Sequence, residues 1–143
     1  MMQRYLADVN VWFALALQEH RHHPDARSWW ENTTGLIGFV RVTQLGLLRL
    51  LTSAGPMQGY PLTNQQAWDV YDHLLSDDRV RTFPDLPALD DLFRTWSHLP
   101  QPAPKVWTDA WLAACAHANE AVLVSFDRAF MAYGVKCRIL GSE

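Results

Sequence analysis

Three aspartates, Asp8, Asp109 and Asp127, stand where a carboxylate can do chemistry. Asp8 ends a short apolar run at Leu6-Ala7, and Asp127 ends another at Leu123-Val124-Ser125-Phe126. Asp109 falls in the first turn of an alanine-rich helical stretch over 107–118. In open α/β sheets, function collects outside the carboxyl ends of the strands, and that rule selects these three from the 15 acidic residues. An unpaired carboxylate inside an apolar stretch is costly, so Asp8 is the hardest to read as a plain turn residue. Three converging carboxylates repel one another, and a cation relieves that repulsion. Oxygen-only ligands favour a hard ion such as Mg²⁺ or Mn²⁺. Such an ion acidifies its water and stabilises charge on a phosphodiester during in-line attack. The chemistry open to this pattern is metal-assisted phosphodiester hydrolysis. Two of the acids also have purely structural readings: Asp109 as a first-turn residue favoured by the helix dipole, and Asp127 as the cap of a short following helix.

The elements that must position these acids can be read from apolar patterning. Strands are expected at 3–8, 36–40, 79–83, 121–126 and 136–140. Between them fall helices at 11–17 with Asn10 as N-cap, from Pro24 through Trp30, from Thr43 through Leu51, from 63 to 75, from Pro87 through Trp96 and over 107–118, then a helical turn at 128–132. Alternating helices and near-continuous apolar strands predict an α/β fold of three layers: a mostly parallel central sheet of about five strands with helices on both faces. A helix that runs back antiparallel to the fourth strand starts at that strand's carboxyl end. Asp109 and Asp127 can therefore share an edge, and Asp8 joins them if the first and fourth strands are neighbours.

At 143 residues, a single domain over 1–143 is expected. The chain is 49% hydrophobic and 19% charged, which excludes intrinsic disorder. No apolar run approaches the ~18 residues of a membrane span, and the start lacks the pattern of a secretory signal, so a cytoplasmic location is expected. A net charge of −3 argues against a simple electrostatic duplex binder and leaves room for a nuclease, whose metal-binding carboxylates are acidic. The two cysteines, Cys115 and Cys137, cannot build a disulfide framework or a CxxC metal site. Cys115 shares a helical stripe with Trp111 and Ala118 and reads as a buried thiol.

Four segments in order, Leu6-Ala7-Asp8-Val9-Asn10-Val11-Trp12, Leu45-Gly46-Leu47-Leu48-Arg49-Leu50-Leu51-Thr52, Thr108-Asp109-Ala110-Trp111-Leu112-Ala113-Ala114 and Leu123-Val124-Ser125-Phe126-Asp127-Arg128-Ala129-Phe130, span nearly the whole chain. Together they resemble the PIN-domain proteins, specifically the VapC-type ribonuclease toxins of toxin–antitoxin pairs. The resemblance implies a PIN-like fold and a Mg²⁺- or Mn²⁺-dependent endoribonuclease that leaves a 5′-phosphate and a 3′-hydroxyl. It implies a homodimer restrained by a small VapB-like antitoxin, with RNA as substrate and no membrane partner. Asp8 and Asp109 would be the principal metal ligands, and Asp127 a further acid acting through water or on a second ion. Ser125 would orient that last carboxylate or a water, and Asn10 would steady the loop after Asp8.

One position departs from the usual pattern. Where many PIN domains place a Glu at the start of the third helix, this chain has Gly46, as does a branch of VapC-like proteins with a Gly-hydrophobic-hydrophobic-Arg run. The missing carboxylate favours a single ion, or a second ion brought by the substrate phosphate, over a preformed pair; Thr43 and Gln44 are the candidates for a neutral oxygen there. Arg49 is expected either to pair with a carboxylate at the core edge or to hold a phosphate. His20, His22 and His23 lack a convergent fourth ligand and read as a solvated loop. Most of the seven tryptophans sit at apolar helical positions, while Trp12 and Trp107, next to Asp8 and Asp109, are the candidates for base stacking. Gly46 and the acidic charge also suit a non-catalytic PIN-like module that binds RNA or protein without a cation. A phosphoacceptor domain fits less well, because no acidic pair follows the first strand.

Overall fold

Strands buried on both faces need near-continuous apolar runs, and such runs make the sheet here. In the computed structural model, which describes residues 2–141, the strands are β1 (Arg4–Ala7), β2 (Leu36–Phe39), β3 (Val80–Thr82), β4 (Val122–Ser125) and β5 (Cys137–Ile139). Residues 1, 142 and 143, the ends of the expected domain, lie outside the described residues. All four pairings are parallel, in the order β3-β2-β1-β4-β5. The expected five-stranded parallel sheet is therefore present, with β1 at its centre and β4 as its neighbour.

The helices are α1 (Val9–Ala16), α2 (His23–Asn32), α3 (Arg41–Leu51), α4 (Asn64–Leu75), α5 (Leu89–Ser97) and α6 (Val106–Ala118), with a 3-10 turn at Arg128–Ala132. Successive strand residues point to opposite faces, so adjacent positions feed different cores. Ala7 and Val124 pack with α1, α2, α3 and α4, whereas Leu6 and Leu123 pack with α5, α6 and the 3-10 turn. These are the two helical layers that the alternation predicts. In α6, Ala110, Ala113, Ala114 and Ala116 are fully buried, which lets the helix lie close to the sheet. Cys115 is buried as expected, and burial pushes its thiol up to about 12, so it stays protonated and inert.

Three expectations are corrected. The first helix starts at Val9, and its N-cap is Asp8 instead of Asn10: the Asp8 side chain accepts from the Val9 N–H. Aspartate caps as well as asparagine, and here the cap is also the last residue of the apolar strand run. The third helix starts at Arg41. Thr43 lies one turn inside it, where its hydroxyl accepts from the Val40 N–H at 3.1 Å and donates to the Val40 carbonyl at 2.9 Å. Trp12 is fully buried and stacked on Phe39 at 3.8 Å, so it cannot receive a base.

Two glycines hold close approaches. Gly35, at φ +115°, turns the chain into β2 so tightly that a Cβ there would lie 2.3 Å from the Gln3 carbonyl oxygen. Gly38, inside β2, lies under the Phe83 ring, and an added Cβ would stand 2.4 Å from it. Phe83 is itself buried, so the ring has nowhere to go. Gly38→Ala should destabilise the fold by about 1–3 kcal/mol, as overpacking does, read as a lower midpoint in urea unfolding.

Candidate active site

The β1–β4 register builds the site. Ala7 lies beside Val124, and the Asp8 N–H donates to the Val124 carbonyl at 2.8 Å, so Asp8 and Ser125 emerge together at the carboxyl edge. Ser125 is fully buried and joins three site residues. Its hydroxyl donates to Asp8 Oδ2 at 2.8 Å, accepts from the Asp127 N–H at 2.9 Å and accepts from Asn10 Nδ2 at 3.3 Å. Asn10 Oδ1 in turn accepts from the Phe126 N–H at 3.4 Å. Asn10 thus ties the first turn of α1 to the end of β4. Asp127 is exposed and accepts from the Ala129 N–H at 2.9 Å, so it does cap the 3-10 turn.

Asp109 lies in the first turn of α6 and reaches the same edge. A cleft of about 420 Å³ is lined by Asp8, Thr43, Gly46, Arg49, Thr108 and Asp109, among others. It gathers five of the residues singled out from the sequence, Asp8, Thr43, Gly46, Arg49 and Asp109, while Ser125 links Asp8 to Asn10 and Asp127 beside it. A larger concavity of about 980 Å³ lies at the opposite, amino edge of the sheet and contains none of them.

The acids feel one another. Burial raises the Asp109 carboxyl, the negative charges of Asp127 and then Asp8 raise it further, and Lys105 opposes them; the result is about 6. Burial also raises Asp8, against the donated hydrogen bonds from Ser125 and the Val9 N–H, with the Asp127 charge adding to the rise. The Tyr133 phenol feels the same acids: burial and then the charges of Asp109 and Asp127 raise it. Sequence reading missed Tyr133, whose loop position carries no motif. It also missed Lys105, for which a cation four residues before Asp109 was a usable signal.

As a cation site, the donor set fits in type and charge: half-buried carboxylates that suppress one another's ionisation are relieved by a positive ion. Among the described residues, no group of three His, Cys, Asp or Glu side chains is close enough to hold one ion jointly. The arrangement therefore suits a hydrated hard ion held by one or two carboxylates and waters, as Mg²⁺ commonly is, better than a closed cage. Arg49 is exposed on the cleft and forms no ion pair among the described residues, so the expected carboxylate pairing is not made. Gly46 has a packing reason. A Cβ there would stand 2.9 Å from Val9 Cγ2, so a longer side chain at this point would press on the turn that holds Asp8.

Ser125→Ala should lower turnover by about 10–100-fold, the usual effect of losing a residue that orients a ligating group. It should also cost about 1–3 kcal/mol of stability, because the Asp127 N–H and the Asn10 amide lose a buried partner. Cleavage rates and thermal melts on the same preparation check both.

The comparisons with known proteins agree with this geometry. The PIN domain matches residues 5–136. The chain is 44% identical over 142 residues to Ribonuclease VapC41 of Mycobacterium tuberculosis, in strains CDC 1551 / Oshkosh and ATCC 25618 / H37Rv, covering 94% of this chain and 97% of the relative. Among solved structures, M. tuberculosis VapC20, described as a sarcin-ricin loop cleaving toxin, has a TM-score of 0.68 at 18% identity, covering 92% of this chain and 95% of that one. VapBC-1 from nontypeable Haemophilus influenzae has a TM-score of 0.65 at 14% identity, covering 96% and 98%. FitAcB from Neisseria gonorrhoeae has a TM-score of 0.60 at 18% identity, covering 93% and 95%. Those structures speak for the fold. A domain match over most of the chain and a relative at 44% identity over nearly all of it establish more: this chain belongs to the PIN domain family.

Proposed function

We propose that the protein is the toxic endoribonuclease of a toxin–antitoxin pair, acting by Mg²⁺- or Mn²⁺-assisted hydrolysis of RNA phosphodiester bonds. The observation that carries this reading is the cleft that brings Asp8 and Asp109 together at the carboxyl edge of the sheet, with Ser125 donating to Asp8 Oδ2 at 2.8 Å and accepting from the Asp127 N–H at 2.9 Å. The 44% identity to a ribonuclease supports it. Asp8 and Asp109, which share the cleft, would hold the cation, and Asp127 would be the further acid. When bound, a hard divalent ion supplies charge neutralisation at the scissile phosphate and a water acidified toward neutral pH. Ser125 fixes the Asp8 carboxylate by its hydroxyl, and Asn10 keeps the α1 turn against β4. Arg49, exposed on the cleft with no ion pair among the described residues, is placed to hold a substrate phosphate. Thr43 serves the start of α3, where its hydroxyl is already engaged.

The resemblance to VapC-type toxins supports three further parts of the proposal: a VapB-like antitoxin partner, a homodimer and a cytoplasmic setting. Among the described residues, no helix is long and apolar enough to cross a membrane. The test is cleavage of total cellular RNA by purified protein under cation titration. Activity should require Mg²⁺ or Mn²⁺ and vanish in Asp8→Asn, and growth arrest on expression should be relieved by the antitoxin. The glycine at position 46 and the net charge of −3 favour a second reading, a non-catalytic binding module. RNA binding without any cation-dependent cleavage would select it.

A further inference from the structure

The segment between α1 and α2, Leu17-Gln18-Glu19-His20-Arg21-His22, exposes Gln18, Glu19 and Arg21 to solvent as its polarity suggests, yet it is a fastened turn that leads into His23 at the start of α2. The His20 N–H donates to the Leu17 carbonyl at 3.0 Å, the His23 N–H to the His20 carbonyl at 2.9 Å, and the His22 N–H to His20 Nδ1 at 3.0 Å. The His20 ring meets Phe13 edge-on at 5.5 Å, and His23 Nδ1 lies 2.7 Å from the Ala14 carbonyl oxygen. His22 lies nearly flat on Phe126, with centroids 4.6 Å apart and 22° between planes. Arg21 Nε then donates to His22 Nε2 at 3.1 Å.

Phe126 stands between Ser125 and Asp127 at the end of β4, and Asn10 holds its N–H. A continuous line of contacts therefore runs from Asp8 through Ser125, Asn10, Phe126 and His22 to Arg21. Arg21 is exposed and, among the described residues, has no ion pair. With Nε committed to His22, its terminal nitrogens are left as donors, and a planar guanidinium grips phosphate well. An arginine already held in place loses less freedom on binding than a loose one. The protein carries a net charge of −3 and an acid cluster at its cleft, so a polyanion approaching it gains from an exposed cation tied through His22 and Phe126 to the end of β4.

We propose that Arg21 binds a backbone phosphate of the RNA strand flanking the cleavage site, with His22 on the Phe126 ring as its positioning residue; this rests on the ribonuclease reading above. The occupant is RNA and not an acidic side chain of the antitoxin, because the contact line leads to the acids that act on phosphodiester.

The test uses Arg21→Gln, His22→Phe and the double variant. Binding of a short mixed-sequence single-stranded RNA is measured in EDTA across a salt series, and steady-state cleavage is measured with the cation present. His22→Phe keeps a ring for Phe126 and removes the acceptor for Arg21. Arg21→Gln should raise Kd and KM by about 3–10-fold with kcat and Tm unchanged, and flatten the plot of log affinity against log salt by about 0.7, the share of one single-strand phosphate contact. His22→Phe should move the same quantities in the same direction, and the double variant should be no worse than Arg21→Gln alone. An Arg21→Gln protein with wild-type Kd and salt slope overturns the proposal, as does one weakened only toward antitoxin. Additive losses in the double variant overturn the positioning role of His22. A wild-type protein that neither binds nor cuts RNA sinks the ribonuclease reading itself, an outcome distinct from an indifferent Arg21→Gln.

Discussion

Asp109→Asn should lower RNA cleavage by about 10²- to 10³-fold while making the cation-free protein more stable near neutral pH. The loss follows from removing a carboxylate expected to hold the cation, whose electrostatic help to the reacting phosphate is worth several kcal/mol. The gain follows from the cluster. The Asp109 carboxyl sits at about 6 against an ordinary value of 3.8, so the fold disfavours its ionised form. A raised carboxyl stabilises the fold fully below its unfolded value and loses that contribution as pH rises through the folded one. The wild type should therefore lose stability between about pH 4 and pH 6 relative to Asp109→Asn. A rise of that size corresponds to about 3 kcal/mol without screening. Asp109 is only half-buried, so about 1 kcal/mol is the realistic difference at pH 7. Thermal melts of both proteins in EDTA over this pH range measure it. Taking the difference cancels other carboxylates, such as Asp77, which Arg79 holds below its usual range and which therefore acts with the opposite sign. Added Mg²⁺ should raise the wild-type Tm more than that of the variant, because only the native wild-type cluster gains an ion. A variant that keeps full cleavage would remove Asp109 from the chemistry.

Trp12→Ala should cost about 3–5 kcal/mol, enough to approach the whole stability of a domain this size. Trp12 is fully buried, stacks on Phe39 at 3.8 Å with 11° between planes, and meets Trp30 edge-on at 6.1 Å. It joins α1 to β2 and α2, and so fixes the helix whose N-cap is Asp8. Its indole Nε1 has no hydrogen-bond partner among the described residues. That orphan donor lowers what the side chain contributes, because a buried unpaired N–H is unfavourable. Trp12→Phe should therefore cost less than about 1.5 kcal/mol, since it loses part of the ring but also the orphan. Urea unfolding of the two variants separates them. A Trp12→Ala protein within about 1 kcal/mol of wild type would mean that the α1 layer is not anchored by this stack.

Base stacking beside the acids divides along the same lines. Trp12 and Trp107 are equivalent in sequence, each close to an aspartate, yet Trp12 is 0% exposed and Trp107 is 58% exposed. Proximity along the chain says nothing about which face of a helix a side chain takes when two layers compete for it. Trp107 lines a small groove with Leu99, Pro102 and Pro104, away from the cleft of Asp109, because residues two apart on a helix do not share a face.

Residue patterning alone was enough for the sheet, its parallel sense and the strand ends where acids could act. Apolar periodicity and helix–strand alternation are local properties, and the burial of both sheet faces is written into each run. Tertiary structure alone decided what those acids touch. The bond from Ser125 to Asp8 spans 117 residues and exists only because β4 pairs with β1 in one register. The rise of Asp109 to about 6 depends on burial and on charges from two distant segments. The fastening of the histidine turn on Phe126 and the bond from Asn10 to the end of β4 depend on neighbours that no local pattern names. Hydrogen bonds need partners within about 3 Å and Coulomb energies depend on separation and burial, so both follow from the final placement of elements, whereas hydrophobic patterning precedes that placement and drives it.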